Sequence, residues 1–161
     1  MEDFIGRKYT GARIAKDAIC VAICDDETFM LELLEEKVRK ILPSAVVEQF
    51  SSGRELLEGN TKVDILFLDI QMPEVDGMET ARLFRRQRRD TLIIFVTAAP
   101  EYVFQAFDVG AFHYLVKPLS DDKFDEVFGN ALLEIGRRNK GRDGDDGDYM
   151  MIQAGGVHTK I

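Results

Sequence analysis

Apolar residues recur along the chain in five short runs, and polar residues break each run near its end. The runs are AICVAIC at 18–24, AVVEQF at 45–50, ILFLD at 65–69, TLIIFV at 91–96 and FHYLV at 112–116. Short β-prone runs of this kind predict strands, and a run without polar alternation predicts a strand buried on both faces of a parallel sheet. The pattern therefore predicts five strands, most of them covered on both sides.

The segments that follow the runs carry apolar residues three and four positions apart, which is typical of helices that pack on one face. They are centred on Met30 to Ile41, Leu56 to Leu57, Met78 to Phe84, Glu101 to Val109 and Phe124 to Ile135. Ser51 or Ser52 can cap the second helix, and Ser120 can cap the last. Strand–helix units in series require right-handed crossovers. The sequence therefore predicts a doubly wound α/β fold, a five-stranded parallel sheet with helices on both faces.

The length of 161 residues gives room for one well-buried domain with flanking segments. Residues 1–17 mix charges and glycines and are interpreted as an N-terminal extension, and the domain is assigned to residues 18–139. Residues 140–148 are interpreted as a linker, because GRDGDDGD at 141–148 is too polar to bury a core. Residues 149–161 place a Gly155-Gly156 turn between two β-prone pieces.

The charge and hydropathy of the chain exclude several classes of protein. A net charge of −8 argues against a general nucleic-acid-binding surface, which needs clustered cations. No apolar stretch approaches the roughly 20 residues of a membrane helix, and residues 1–17 lack the apolar core of a secretory signal. We therefore expect a soluble cytoplasmic protein without membrane association. Cys20 and Cys24 are four residues apart, so we expect buried reduced thiols instead of a CxxC redox or zinc pair.

An arginine cluster occupies the far half of the third predicted helix. Its members are Arg82, Arg85, Arg86, Arg88 and Arg89. Cations near a helix C-terminus are favourable by themselves, at about 0.3–1 kcal/mol each when exposed. We therefore interpret the cluster as a solvated helix face and not as a partner surface.

Polar residues of particular types follow four of the five predicted strands. They are Asp25 and Asp26 after the first, Asp69 after the third, Thr97 after the fourth and Lys117 after the fifth. The carboxyl ends of parallel strands meet at one edge of the sheet, and the first strand can lie beside the third. Three carboxylates in one crevice would repel one another, and a divalent cation such as Mg²⁺ relieves that repulsion.

A metal beside a nucleophilic carboxylate, with an ammonium and a hydroxyl opposite, predicts phosphoryl transfer. Asp69 would accept the phosphoryl group, and Lys117 and Thr97 would stabilise its oxygens. Each residue also has a purely structural interpretation: Asp69 as a strand-end cap, Thr97 as a strand terminus and Lys117 as a surface lysine. Their joint occurrence at the strand ends favours the functional interpretation.

The segments ICDDE (23–27), LDIQMPEVDG (68–77), VTAA (96–99) and YLVKP (114–118) resemble the receiver domain of bacterial two-component response regulators over about residues 18–138. The resemblance implies strand order 2-1-3-4-5 and phosphorylation of Asp69 by a sensor histidine kinase. It also implies a Mg²⁺ site and a switch. The implied metal ligands are Asp26, Asp69, the backbone carbonyl of Gln71 and, through water, Asp25. The implied switch pair is Thr97 with Tyr114, and Lys117 is the implied phosphate contact.

The segment EYVFQAFDVGAFHYLVKPL at 101–119 resembles the LytTR branch of these regulators more closely. His113 stands where that branch often has an acid, and we interpret it as a strand residue with an outward ring. The tail from Tyr149 is similar to the opening hairpin of a LytTR DNA-binding domain. Residues 149–161 are too few for that domain, so we expect a truncated output domain and DNA binding only through its missing part.

The resemblance thus implies a phosphorylation-activated regulator of transcription that dimerises through its fourth and fifth strand–helix units. It would be no enzyme beyond self-phosphorylation from phosphodonors and slow autodephosphorylation. A phosphatase of the haloacid-dehalogenase type is one alternative, but those enzymes resemble DxD at the nucleophile and Gln71 cannot donate and recover a proton. A receiver that acts only through protein contacts is the other alternative.

Overall fold

The structure, a computed structural model, describes residues 18–143 and the side chains of residues 18–139. The predicted extension at 1–17 and the predicted hairpin at 149–161 lie outside the described residues. The predicted linker lies mostly outside them.

Strands and helices alternate along the described chain as the sequence predicted. The elements are β1 (Cys20–Cys24), α1 (Thr28–Ile41), β2 (Val46–Phe50), α2 (Gly53–Glu58), β3 (Ile65–Leu68), α3 (Gly77–Gln87), β4 (Leu92–Thr97), a 3-10 turn (Pro100–Tyr102), α4 (Val103–Asp108), β5 (His113–Val116) and α5 (Asp121–Asp143). The last helix continues into the segment assigned to the linker.

All neighbouring strands are parallel, and their order is β2-β1-β3-β4-β5. This confirms the predicted fold class and strand order. The register places Cys24 beside Leu68 and Leu68 beside Phe95. The carboxyl ends of β1, β3 and β4 therefore lie at one edge of the sheet, and this edge holds the candidate site.

The core lies in two layers, one on each face of the sheet, because successive residues of a strand point to opposite faces. Ile65 and Phe67 of β3 pack in the layer with α1 and α5. Leu66 and Leu68 pack in the layer with α2, α3 and α4. Phe67 stacks on Phe124 of α5 with ring centroids 5.4 Å apart. All four β3 side chains are buried, which explains why ILFL shows no polar alternation.

Side-chain caps fix where several helices begin. Ser52 accepts a hydrogen bond from the backbone of Glu55 at 3.1 Å, and Ser120 accepts one from Lys123 at 3.1 Å. These two bonds confirm the predicted caps. Asp76 caps α3 in the same way through the backbone N–H of Glu79.

The interpretation of the arginine cluster as a solvated face is wrong for two of its members. Arg85 is half-buried and donates to backbone carbonyls of Arg89 and Thr91, between α3 and β4, and also to Val109 and Gly110 beyond α4. Arg88 stacks over the ring of Phe84 at 4.8 Å. Arg88 also donates to the carbonyls of Gly59 and Thr61. Both guanidinium groups therefore bind backbone carbonyls of loops and helix ends and are not simply solvated.

The two cysteines are free thiols, with Cys24 buried and Cys20 half-buried. Cys24 therefore confirms the prediction of a buried reduced thiol, and Cys20 is only partly covered. None of the helices between residues 18 and 143 is long and apolar enough to cross a membrane.

Candidate functional site

Strand pairing brings the three predicted aspartates together at the carboxyl edge of the sheet. Asp25 and Asp26 follow β1, and Asp69 follows β3 on the adjacent strand. The backbone N–H of Asp69 donates to the carbonyl of Cys24 at 3.0 Å, which extends the strand pairing to the site itself. Asp25 is 1% exposed and Asp69 is 5% exposed, whereas Asp26 is exposed. Two of the three carboxylates are therefore largely removed from water.

The aspartate carboxylates form a compact oxygen cluster. One oxygen from each of Asp25, Asp26 and Asp69 lies within 4.8 Å of the others. Carboxylate oxygens at this spacing suit a hard divalent cation, and the exposed position of Asp26 leaves room for the waters that Mg²⁺ retains. The donor set therefore fits Mg²⁺.

Lys117 reaches this cluster from the residue after β5. Its Nζ lies 3.0 Å from Asp25 Oδ2 and 3.5 Å from Asp69 Oδ2. It also lies 3.5 Å from Oε1 of Glu27. Sequence reasoning assigned no role to Glu27, although it is the third acid in the run that begins at Asp25. One ammonium thus faces several carboxylates.

The site contains more negative than positive charge, and the raised pKa values of its buried aspartates are consistent with this excess. Burial, together with the nearby charge of Asp25, raises the pKa of Asp69 to about 6 from its ordinary 3.8. Burial also raises the pKa of Asp25, although its hydrogen bond with Lys117 opposes the effect. Burial alone would lower the pKa of Lys117, but its bond to Asp25 and the charge of Asp69 outweigh that and raise it. A bound cation would neutralise this excess of negative charge.

Thr97 and Tyr114 both bind the loop that leads from β4 to α4. Thr97 is fully buried, and its hydroxyl oxygen accepts the backbone N–H of Ala99 at 3.2 Å. The same hydroxyl favours the ionised form of Asp69. Tyr114 is half-buried, and its hydroxyl donates to the carbonyl of Ala99. The predicted switch residues therefore share Ala99 as a partner.

Gln71 lies in the loop after Asp69 with an exposed side chain. A hydrogen bond from the Gln71 backbone to the Asp69 carboxylate favours the charged form of that group. Gly77 closes this loop by donating to the carbonyl of Ile70 at 2.6 Å. A Cβ on Gly77 would lie 1.9 Å from the backbone oxygen of Asp69. Glycine at this position therefore permits the loop that carries Asp69 and Gln71.

His113 is outside the cluster. It is half-buried, and its Nδ1 accepts the backbone N–H of Tyr114 at 2.8 Å. This contact within β5 agrees with its interpretation as a strand residue.

Comparison with known proteins matches residues 21–128 to a family described as the response regulator receiver domain. The chain belongs to this family. Receiver domains are phosphorylatable signalling switches that interact with histidine kinases and bind Mg²⁺ at an acidic pocket. The position of Asp25, Asp26 and Asp69 corresponds to such a pocket in this receiver domain.

Curated relatives of the receiver domain include proteins named as regulatory proteins. The chain is 36% identical over 123 residues to the positive alginate biosynthesis regulatory protein of Pseudomonas aeruginosa, covering 74% of this chain and 48% of that protein. It is 32% identical over 123 residues to the transcriptional regulatory protein BtsR of Escherichia coli K12, covering 75% of this chain and 51% of that protein. The chain thus spans about half the length of the curated relatives it matches.

A solved structure with the same fold is the response regulator TrrA of Thermotoga maritima in complex with Mg²⁺ and a beryllium fluoride. It is 27% identical, has a TM-score of 0.63, and the match covers 70% of this chain and 98% of that one. The match to nearly all of TrrA shows that the described part of this chain contains a complete receiver fold.

Proposed function

We propose that Asp69 is the phosphoacceptor of this receiver domain and that a sensor histidine kinase is its donor. The observation that carries the proposal is the position of Asp69 between a cation and two acids. Its Oδ2 is 3.5 Å from Lys117 Nζ, and its carboxylate lies within 4.8 Å of Asp25 and Asp26. An aspartate so placed has the charge partners that phosphoryl transfer requires.

The transfer step uses the ionised form of Asp69, which predominates above about pH 6. A carboxylate oxygen attacks the phosphorus of a phosphohistidine, forming a P–O bond. The P–N bond breaks, and its electron pair stays on the imidazole nitrogen of the kinase. Lys117 exchanges its contact with the Asp69 carboxylate for a contact with a phosphoryl oxygen. Dephosphorylation is a separate hydrolysis. The oxygen of water attacks phosphorus, the P–O bond to Asp69 breaks with its electron pair on the carboxylate, and inorganic phosphate and a proton are released.

Mg²⁺, when bound, supplies positive charge to the phosphoryl oxygens. Asp26, Asp69 and the backbone carbonyl of Gln71 would hold it directly, and Asp25 would hold it through water. The different exposures support this division, because Asp25 is already bonded to Lys117 at 3.0 Å whereas Asp26 is exposed. The side chain two residues after Asp69 is the amide of Gln71, which cannot donate and recover a proton. This supports self-phosphorylation and slow autodephosphorylation without turnover of an external substrate.

The proposed switch runs from Thr97 through Ala99 to α4. Thr97 turns toward a phosphoryl oxygen and releases the N–H of Ala99, and Tyr114 then changes its position against the same loop. Phe104 and Phe107 of α4 are 79% and 62% exposed, and Val116 of β5 is 46% exposed. These apolar side chains support dimerisation of the phosphorylated protein through the fourth and fifth units.

The output proposed for the intact protein is a LytTR-type DNA-binding domain that controls transcription. Its support is the segment at 101–119 and the greater length of the curated relatives, one of which is a transcriptional regulator by name. DNA binding would require the part of that domain beyond residues 149–161.

The experiment that tests the site is labelling with a small phosphodonor. We expect the protein to gain one phosphoryl group from acetyl phosphate with Mg²⁺, and to lose this reactivity in EDTA or in Asp69→Asn. Asp108→Asn is the matched control, because Asp108 is an exposed aspartate of α4. Equal labelling of Asp69→Asn and the parent protein would refute the assignment, and multiple turnover of phosphate esters would favour the phosphatase alternative.

A further inference from the structure

A basic groove lies at the edge of the sheet opposite Asp69. It is a cavity of about 320 Å³ where the segments entering β3 and β4 meet the end of α5. Its cations are Lys62, Arg88, Arg89 and Arg138. Two acids, Asp64 and Asp90, also line it. The groove thus carries an excess of positive charge in a protein whose net charge is −8.

The existing contacts compensate part of this positive charge, since Lys62 pairs with Asp64 at 3.5 Å. Arg88 donates to neutral acceptors, the carbonyls of Gly59 and Thr61 at 2.9 and 3.2 Å. Arg138 binds Glu134, but it also donates to the backbone carbonyl of Asp90 at 2.7 Å. Burial, followed by the nearby charge of Arg138, lowers the pKa of Arg85, which lies beside the groove. The groove therefore keeps a surplus of cations over acids.

We propose that the basic groove binds the acidic segment of the same chain at residues 144–148. That segment reads GDDGD, with three carboxylates and no cation. It begins directly after α5, and the same helix supplies Ile135, Arg138 and Asn139 to the groove wall. The negative charge of this segment and its attachment to the end of α5 both favour it as the partner of the groove.

The reach of the chain permits this contact. From Asn139 to Asp143 the helix advances by about 6 Å at 1.5 Å per residue. The next five residues span up to about 17 Å when extended, so Asp146 and Asp148 can return to the groove. A short tether also gives an effective concentration in the millimolar range, which favours this segment over free anions. Docking would fix the direction in which the chain leaves the receiver domain, independently of phosphorylation at Asp69.

Carbodiimide crosslinking of the full chain tests the contact, because the reagent joins an amine to a carboxylate only when the two touch. We expect Lys62 to be linked to Asp145, Asp146 or Asp148 within one molecule. The pair Lys62–Asp64, at 3.5 Å, is an internal reference for the reaction. Peptide mass spectrometry identifies the linked residues, and mixed isotope-labelled and unlabelled protein separates links within one copy from links between copies.

A charge-reversal pair distinguishes docking from chance collisions of a tethered segment. Arg89 lines the groove just after α3, whereas Arg86 is exposed on α3 and does not line it. We expect Arg89→Glu to reduce the yield by about fivefold relative to the reference link, which follows from two charges at short range in a wet site. Arg86→Glu should change it by less than about twofold. Equal yields in the two variants, links between copies only, or the Lys62–Asp64 link alone would overturn the proposal.

The amide spectrum gives a second measurement. The triple variant Asp145→Asn/Asp146→Asn/Asp148→Asn should shift the amides of residues 62–64 and 88–91 and leave those of residues 25–27 in place. Unchanged amides at the groove would also overturn the proposal.

Discussion

Thr97 and Tyr114 form hydrogen bonds with the two polar backbone groups of one residue, Ala99. The hydroxyl oxygen of Thr97 accepts its N–H at 3.2 Å, and the hydroxyl of Tyr114 donates to its carbonyl. Ala99 is 2% exposed and directly precedes the 3-10 turn that leads into α4. Any movement of Thr97 toward Asp69 therefore acts on the same residue that Tyr114 holds, and this would couple the proposed phosphorylation site to α4.

Tyr114→Phe tests this coupling. We expect the variant to be labelled by acetyl phosphate as well as the parent, because Tyr114 does not contact the carboxylates. The loss of one partly buried hydrogen bond should lower the free energy of unfolding by about 1 kcal/mol. Light scattering of the phosphorylated protein should show weaker dimerisation, because the position of α4 is then less well defined.

Tyr102→Phe is the control, since Tyr102 is a half-buried tyrosine of the same region. If Tyr114→Phe dimerises on phosphorylation as the parent does, Tyr114 is not part of the switch.

Asp69→Asn should stabilise the metal-free protein at neutral pH. The folded-state pKa of Asp69 is about 6 against an ordinary 3.8, so folding favours its protonated form. The contribution of Asp69 to the stability of the folded protein is therefore favourable at low pH and is lost as the pH rises through about 6. Since one pKa unit corresponds to about 1.4 kcal/mol, the variant should gain about 1–3 kcal/mol at pH 7.5. Near pH 4 the difference should nearly vanish.

Urea unfolding in EDTA at several pH values measures this difference. Asp108→Asn, at an exposed aspartate of α4, is the control for the substitution itself. An Asp69→Asn protein that is less stable than the parent at pH 7.5 would contradict the charge imbalance described for the site.

Lys117→Gln should separate metal binding from phosphoryl transfer. Without the ammonium, Asp25 and Asp69 repel each other, and the free energy of unfolding in EDTA should fall by about 1–3 kcal/mol, which is less than for a fully buried pair. Mg²⁺ should bind more tightly because no fixed cation opposes it. Labelling by acetyl phosphate should become slower because the phosphoryl oxygens lose a charge partner.

Lys123→Gln serves as the control, because Lys123 forms only an exposed ion pair with Glu126 at 3.7 Å and such pairs contribute little. Weaker Mg²⁺ binding by Lys117→Gln in a calorimetric titration would show that Lys117 does not compete with the metal.

Gly77→Ala should disturb the loop that carries Asp69. The new Cβ would lie 1.9 Å from the Asp69 carbonyl oxygen and 2.6 Å from the Cα of Ile70, so the backbone must move. We expect a loss of stability above about 2 kcal/mol and weaker Mg²⁺ binding. Gly59→Ala is the matched control. A Cβ there is 3.4 Å from its nearest neighbour and φ is −71°, so its effect should be within about 1 kcal/mol.

Unfolding curves of the two alanine variants give the comparison. Equal stability of the two would mean that the loop tolerates the added methyl group, and that Gly77 has no special role in holding Asp69.

The sequence allowed prediction of those features that depend on strand order alone. Because parallel strands end at one edge, Asp25, Asp69 and Lys117 had to lie near one another once the sheet was inferred. Their burial was not predictable, since contacts such as that of Asp25 with Lys117 join residues 92 positions apart. The same reason explains Arg85: its acceptors at Val109 and Gly110 are 24 and 25 residues away, and helical spacing carries no information about them.

Chemical mapping of the phosphorylated protein tests most directly whether Asp69 carries the phosphoryl group. Borohydride reduces an aspartyl phosphate to homoserine, which peptide mass spectrometry locates to a single residue. After reaction with acetyl phosphate and Mg²⁺, we expect homoserine at position 69 in place of Asp69. Homoserine at Asp25 or Asp26, or a phosphoryl group that resists borohydride, would contradict the assignment.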